Sequence, residues 1–321
     1  MVRRMSRQLL ILALPVPLLF ACPTADRSGP PDAEEATPFD WGYELDEDVE
    51  TYLPDDYVAE EPARVVFLGD SITAGVGASQ GSLAYPALLE ENDDGTWDGW
   101  GDHDLRSVYG ADFDVVDVAQ GGAVTDDLVD RQLPALSAQL GDSVSGQTVV
   151  IMTIGGNDMQ AAILPLLQAN DQDAEADRII GGVADNMHET LDYFDDSERF
   201  PDGTFVYFAN VYEPSDAVGQ SDRCFFGIDY STIMRYFVQA NGTMRDIAEE
   251  RGAAMVDMRG HFLGHGMYNE DEDNDAYDDD DPSRWFESDC QHPNDRGHHE
   301  IRRLFVTAAE GRPLEAFGEA P

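Results

Sequence analysis

The residue types needed for nucleophilic catalysis stand at two distant places in this chain. The apolar run at residues 65–68 is followed by Gly69, Asp70 and then Ser71, so a buried strand ends by presenting a serine hydroxyl. A hydroxyl is a poor nucleophile until a base takes its proton. Near the C-terminus Asp289 and His292 are three residues apart, a spacing that lets one loop carry a base and the carboxylate that orients it.

Two further strands are predicted to end in residues that can bind an anion. The apolar run at residues 149–154 leads into two glycines and Asn157, whose side-chain amide is a neutral donor. The run at residues 113–118 leads into Gly121 and Gly122, where a main-chain N–H can face a negative charge. Because open parallel sheets bind ligands at the carboxyl ends of their strands, these segments predict one shared site.

Taken in chain order, these segments resemble the SGNH (GDSL) hydrolase family over about residues 63–317. The resemblance implies Ser71 as the nucleophile, His292 as the general base and Asp289 as the group that orients the base. The four blocks that carry the resemblance are residues 69–73, 121–122, 155–158 and 289–292.

The resemblance also implies an oxyanion hole with three donors. They are the main-chain N–H groups of Ser71 and Gly122 and the side-chain amide of Asn157. Gly122 is chosen over Gly121 because it aligns the Gly-Ala pair with the family pattern. We expect no cofactor and no metal ion in this site.

Competing motifs are weaker. Residues 77–81 fit the Gly-x-Ser-x-Gly pattern, but no strand directly precedes Ser79, as that motif requires. The chain contains no lysine, which excludes a P-loop lysine, a Schiff base and a Ser–Lys pair. His261 and His265 have a zinc-like spacing, but the glycines around them favour a polar loop over a metal-binding helix.

The N-terminus has the pattern of an export signal. Residues 1–21 combine three arginines with an apolar stretch too short to span a bilayer, and they end before Cys22 in a sequence that resembles the bacterial lipobox. We therefore expect lipidation of Cys22 and a lipid anchor on a bacterial membrane, and the alternative is a plain export signal. Residues 22–62 are rich in proline and acidic residues and are predicted to be a tether.

The two other cysteines, Cys224 and Cys290, are predicted to form a disulfide, because an exported protein meets an oxidising compartment. The alternative is two separate buried thiols. Since Cys290 lies between Asp289 and His292, a bridge would restrain the loop that carries both.

The chain is strongly acidic, with 65 Asp and Glu against 19 basic residues and a net charge of −46. Such a charge repels nucleic acid and anionic headgroups, so neither is expected as a partner. Residues 269–281 hold nine of the acidic residues. This segment is interpreted either as a Ca²⁺ site or as a flexible acidic loop, and it lacks the EF-hand glycine.

Alternation of apolar and helical runs from residue 63 onward predicts the fold. We expect a single hydrolase domain at residues 63–317 with a doubly wound, five-stranded parallel sheet flanked by helices, a flavodoxin-like three-layer sandwich. The predicted strands are 65–68, 113–118, 149–154, 205–210 and 253–258, and the main predicted helices are 84–91, 126–140, 173–194, 232–251 and 297–309.

These observations favour a lipid-anchored serine esterase or lipase that hydrolyses carboxylic esters of small molecules or lipids. One alternative keeps the same site but acts on carbohydrate O-acetyl esters. A second alternative, of a different class, is a catalytically silent surface lipoprotein that binds glycans or calcium.

Overall fold

The computed structural model describes residues 49–92, 96–101, 103–110, 112–224, 227–312 and 314, all within one compact unit. The predicted signal peptide at 1–21, the lipidation residue Cys22 and the tether up to residue 48 lie outside the described residues. In the described part of the chain, no helix combines the length and the apolar character needed to cross a bilayer.

Within the described residues, five strands form one sheet in the order β2-β1-β3-β4-β5, and every neighbouring pair is parallel. The predicted parallel sheet flanked by helices is therefore confirmed. The strands are β1 (Arg64–Gly69), β2 (Asp114–Asp117), β3 (Thr148–Thr153), β4 (Thr204–Ala209) and β5 (Ala254–Val256).

Helices fill the connections between successive strands, as a parallel sheet requires. Short helices connect β1 to β2, two long helices connect β3 to β4, and the last helix follows β5. The α-helices are α1 (Tyr85–Glu90), α2 (Leu105–Tyr109), α3 (Thr125–Asp127), α4 (Leu133–Leu140), α5 (Gly156–Gln168), α6 (Gln172–Asp195), α7 (Met234–Arg251), α8 (Met258–Phe262) and α9 (Asp295–Ala309).

Strands β1, β3, β4 and β5 are mostly buried on both faces, whereas edge strand β2 is mostly exposed. Alternate residues of each strand point to opposite sides of the sheet. On β1, Phe67 packs in a core cluster that includes Phe305 of α9, and each is at most 1% exposed. Its neighbour Leu68 packs in the opposite cluster, which includes Leu191 of α6. One cluster lies on each face of the sheet, between the sheet and the helices that cover it, which gives the three layers of the predicted sandwich.

The strand order places a switch point between β1 and β3. The chain leaves β1 to form β2 on one side and then forms β3 on the other side. Gly69 at the end of β1 pairs with Thr153 at the end of β3. Doubly wound sheets open a crevice at such a point, so the loops after β1 and β3 should build the site.

Residues 49–62, which we predicted to belong to the 22–62 tether, instead pack against the domain. Tyr52 exchanges two main-chain hydrogen bonds with Met255 of β5, at 2.8 and 2.9 Å. The ring of Tyr57 lies against two aromatic rings of β4. The acidic composition suggested a solvated chain, but these aromatic residues bury enough apolar surface to hold the segment on the sheet.

The loop predicted around His261 and His265 is present only after residue 262, and it is buried at His265. His261 lies in α8, and its Nε2 is 2.7 Å from a carboxylate oxygen of Glu300. The ring of His265 is buried and stacks on Trp285, with centroids 3.4 Å apart. The ring of His261 also lies near Trp285, with centroids 5.1 Å apart, so both histidines pack against this tryptophan.

Candidate active site

Ser71 lies in the tight turn that follows β1. The turn is closed by a hydrogen bond of 2.9 Å from the Val76 N–H to the Ser71 carbonyl. The carboxylate of Asp70 accepts the Ile72 N–H at 3.0 Å and so fixes the main chain on both sides of the serine. Ser71 is 8% exposed, and it lines a cavity at the end of the sheet.

Asp70 also joins the ends of β1 and β3. Its N–H donates to the Thr153 carbonyl at 3.0 Å, and its carboxylate accepts the Thr153 hydroxyl at 3.1 Å. The hydroxyl of Thr73 bonds both Thr153, at 2.8 Å, and Tyr85, at 2.7 Å. Burial raises the pKa of Asp70 to about 6, although the hydrogen bonds from Ile72 and Thr153 oppose the rise.

Gln132, which sequence reasoning missed, binds Gly69, the last residue of β1 before this turn. Gln132 accepts the Gly69 N–H and donates to the Gly69 carbonyl, each at 2.8 Å. It ends a π-helical turn, Leu128–Gln132, within the helix predicted at 126–140. π-turns often mark functional sites, but the local sequence, with Arg131 before Gln132 and Leu133 after it, gives no signal of this contact.

Asp289, His292 and Ser71 form a continuous series of hydrogen bonds. His292 Nε2 is 3.0 Å from Ser71 Oγ, and His292 Nδ1 is 2.6 Å from Asp289 Oδ2. The other carboxylate oxygen of Asp289 accepts the N–H groups of Gln291 and His292 at 3.0 Å. Burial alone would raise the pKa of Asp289, but these hydrogen bonds outweigh it and lower the pKa below its usual value.

The loop that carries His292 is fixed from three directions. Asn294 caps α9 directly after it, and Tyr212 donates a hydrogen bond to the Gln291 carbonyl at 2.7 Å. Gly77 lies against it with φ +104°, and a side chain there would collide with the Pro293 carbonyl. Gly77 therefore lets the first and last loops of the site touch.

Cys224 and Cys290 form the predicted disulfide, with their Cα atoms 6.2 Å apart. Cys290 lies between Asp289 and His292, and both cysteines line the cavity next to Ser71. The bridge joins one wall of the cavity to the loop that carries the histidine.

The structure also brings Asn157 next to the segment that holds Gly122. Asn157 lies in the first turn of α5, and its amide donates to the Ala123 carbonyl at 2.8 Å. The same nitrogen carries a second N–H. Asn157 lines the cavity with Ser71, whereas Gly122, with φ +79°, lies just outside the lining.

The cavity has a volume of about 520 Å³ and extends away from Ser71. Its walls are mostly apolar and come from α5, from the segment after β4, and from α7 and the turn that precedes it. The segment that follows β4 therefore forms a large part of the cavity wall. The apolar lining residues are Ile163, Leu164, Val211, Tyr212, Pro214, Ile228, Tyr230, Phe237 and Met267.

Two competing sequence motifs lie elsewhere. The hydroxyl of Ser79 donates to Asp295 at 2.6 Å, at the start of α9, and so binds a carboxylate instead of a histidine. In the acidic segment, the described residues place the carboxylates of Asp278, Asp279 and Asp280 together. Because exposed acidic groups commonly cluster without an ion, calcium binding there stays a prediction.

Comparison with known proteins identifies the class. Residues 67–300 match the GDSL-like lipase/acylhydrolase family. Because the match spans more than half of the chain, the protein belongs to this family and is an ester hydrolase, as predicted. No curated protein matches the sequence.

Solved structures of this class share the fold. One is a phospholipase A1 from Streptomyces albidoflavus NA297, with 20% identity, a TM-score of 0.51, and coverage of 78% of this chain and 99% of that one. Another is a putative GDSL-like lipase from Parabacteroides merdae ATCC 43184, with 15% identity, a TM-score of 0.51, and coverage of 78% and 97%. At such identities the likeness concerns the fold alone.

Proposed function

We propose that this protein is a serine esterase or lipase that uses Ser71, His292 and Asp289 as its catalytic triad. The observation that carries the proposal is the unbroken series of hydrogen bonds from Asp289 through His292 to Ser71, at 2.6 and 3.0 Å. Both distances are within the range required of a nucleophile, its base and the group that orients the base.

The reaction proceeds in two halves. Ser71 Oγ attacks the ester carbonyl while His292 Nε2 takes its proton, and the protonated imidazole then gives that proton to the leaving alcohol. Water, activated by the same histidine, hydrolyses the acyl-enzyme and regenerates Ser71. Asp289 accepts the Nδ1–H of His292 and so keeps Nε2 free to accept the serine proton.

The negative charge that develops on the carbonyl oxygen needs donors on the side opposite His292. We assign this role to the N–H groups of Ser71 and Gly122 and to the second N–H of the Asn157 amide. Each donor contributes on the order of 3 kcal/mol to the stability of the transition state.

The apolar cavity supports esters with an extended acyl chain as substrates. Each methylene transferred from water into such a pocket gains about 0.8 kcal/mol. This corresponds to about a fourfold rise in kcat/KM per methylene until the cavity is full. An O-acetyl esterase would not use this wall, since an acetyl group ends close to the serine.

Labelling with a fluorophosphonate probe tests the site. We expect labelling and hydrolysis to be lost in Ser71→Ala and kept in Ser79→Ala, the matched control from the competing motif. An active Ser71→Ala variant would refute the assignment.

A series of p-nitrophenyl esters from acetyl to decanoyl then tests the substrate class. We expect kcat/KM to rise with chain length. A maximum at acetyl would instead support the carbohydrate O-acetyl esterase.

We also propose that the protein is exported and held on a membrane by lipid on Cys22. The lipobox-like sequence before Cys22 supports this location, and two or more acyl chains anchor a protein stably. Cells fed a clickable fatty acid should label the parent chain but not Cys22→Ser. Equal labelling of both would refute the anchor.

A further inference from the structure

Two consecutive residues at the start of α5 bind the same short segment of the chain. Asn157 donates to the Ala123 carbonyl at 2.8 Å. Asp158 accepts the Thr125 N–H on both carboxylate oxygens, at 3.2 and 3.0 Å, and the Thr125 hydroxyl at 2.7 Å. This segment directly follows Gly122, so both contacts act on the part of the chain that carries the second oxyanion donor.

The contact between Asp158 and Thr125, which we call the Asp158 clasp, is partly shielded from water. Thr125 is 1% exposed, and Asn186 of α6 donates a further hydrogen bond to its hydroxyl at 3.1 Å. Burial raises the pKa of Asp158, while the hydrogen bonds from Thr125 oppose the rise. A buried hydrogen bond to a charged acceptor is among the stronger polar contacts in proteins.

We propose that Asp158 is a positioning residue of the oxyanion hole, an inference that rests on the proposed function. Asp158 touches neither the substrate nor Ser71. It fixes the start of α5 against residues 123–125, so that the N–H of Gly122 and the amide of Asn157 converge on one oxygen.

The clasp matters because oxyanion donors act only when they are held in place before charge develops. With the clasp removed, the hydrogen bond from Asn157 to Ala123 would be the remaining side-chain hydrogen bond between α5 and residues 123–125 in the described part of the chain. The same amide that must face the oxyanion would then also have to hold the segment. A displacement of about 1 Å at a catalytic group can cost on the order of 100-fold in rate.

Steady-state kinetics of two Asp158 variants test the proposal. Asp158→Ala should lower kcat on the order of 10- to 100-fold while KM changes less than about threefold, because the loss falls on the transition state. Asp158→Asn should keep most of the activity, since its amide can accept the Thr125 N–H and donate to the Thr125 hydroxyl. Equal damage in both variants would overturn the proposal.

Asp104→Ala supplies the matched control for lost stability. Asp104 is also a buried carboxylate that caps a turn, where it accepts the N–H groups of Ser107 and Asn92 at 2.7 and 2.9 Å, and it lies outside the cavity lining. This variant should lower the melting temperature without lowering kcat. If Asp104→Ala lowered kcat as much as Asp158→Ala does, the loss of kcat in Asp158→Ala would reflect general destabilisation and not positioning of the oxyanion hole.

A double-mutant cycle with Asn157→Ala separates positioning from an unrelated structural role. If Asp158 acts through the hole, the double variant should lose about as much kcat as the worse single variant. Losses that multiply would overturn the proposal while leaving the triad in place. An active Ser71→Ala variant would instead show that the proposed function itself fails.

Discussion

Replacing Asp70 by asparagine should change how the stability of this protein depends on pH. Asp70 is 2% exposed, and burial raises its pKa from 3.8 to about 6. An asparagine keeps an oxygen that can accept the hydrogen bonds from Ile72 and Thr153. The charged groups that act on Asp70 are His292, which lowers its pKa, and Asp158, which raises it.

The size and the sign of the effect follow from linkage. A carboxyl whose pKa is higher in the folded state stabilises the fold when protonated, below about pH 3.8, and loses that contribution as pH rises through about 6. At about 1.4 kcal/mol for each pH unit, the ionised Asp70 costs about 3 kcal/mol at neutral pH. Asp70→Asn removes this cost, so the variant should gain stability over the parent as pH rises.

Urea unfolding of the parent and of Asp70→Asn at about pH 4 and about pH 7.5 measures the effect. The free energy of unfolding of the variant, relative to that of the parent, should rise by about 2 kcal/mol from the lower pH to the higher one. Comparing the two differences cancels the intrinsic cost of the substitution and the titration of the other carboxylates. A difference that is the same at both pH values, or that favours the parent at the higher pH, would refute this account of Asp70.

Three other substitutions should change stability in ways that unfolding curves can measure. Glu300 is fully buried. Burial raises its pKa, but a histidine and two arginines outweigh that effect and lower the pKa to about 2. Glu300→Gln should therefore lose about 3 kcal/mol at pH 7, with a deficit that shrinks as pH falls below about 4.5. Gln132→Leu leaves the Gly69 N–H without its acceptor, while the Gly69 carbonyl keeps the Gln120 N–H at 3.0 Å, and should cost about 2 kcal/mol, whereas Gln132→Glu at acidic pH should cost less. Opening the disulfide between Cys224 and Cys290 with a double serine variant should cost about 4 kcal/mol, because it closes a 66-residue loop, and an unchanged urea midpoint would contradict this.

The sheet and the hydrogen-bonded series of Ser71, His292 and Asp289 could be predicted because each rests on a local pattern. Buried strands in a parallel sheet are short apolar runs, and Ser71 and Asn157 directly follow such runs. Asp289 and His292 share one short loop, so their contact needed no knowledge of the rest of the fold. The parallel arrangement then brings the separate strand ends to one edge.

The supporting contacts could not be predicted, because they join residues whose types are ordinary for their local sequence. Gln132 lies in a helix with nothing to mark that it faces Gly69. Thr125 and Asp158 are 33 positions apart, and only the packing of α5 against the segment after β2 brings them together. The π-turn that aims Gln132 inward likewise depends on tertiary contacts that no local propensity records.

Three acidic residues of the site show why residue type alone does not settle a role. Asp70 is buried and Asp158 is partly buried, and loss of hydration raises the pKa of each. Asp289 has a side chain that is 44% exposed and accepts three hydrogen bonds, and its pKa is lowered. In a chain with 65 acidic residues, the sequence places Asp70 beside Ser71, Asp158 beside Asn157 and Asp289 near His292, but only their surroundings decide the response to pH. As the pH falls, Asp70 should therefore be protonated well before Asp289. The buried carboxyl beside Ser71 then becomes neutral, while Asp289 keeps the negative charge that supports His292.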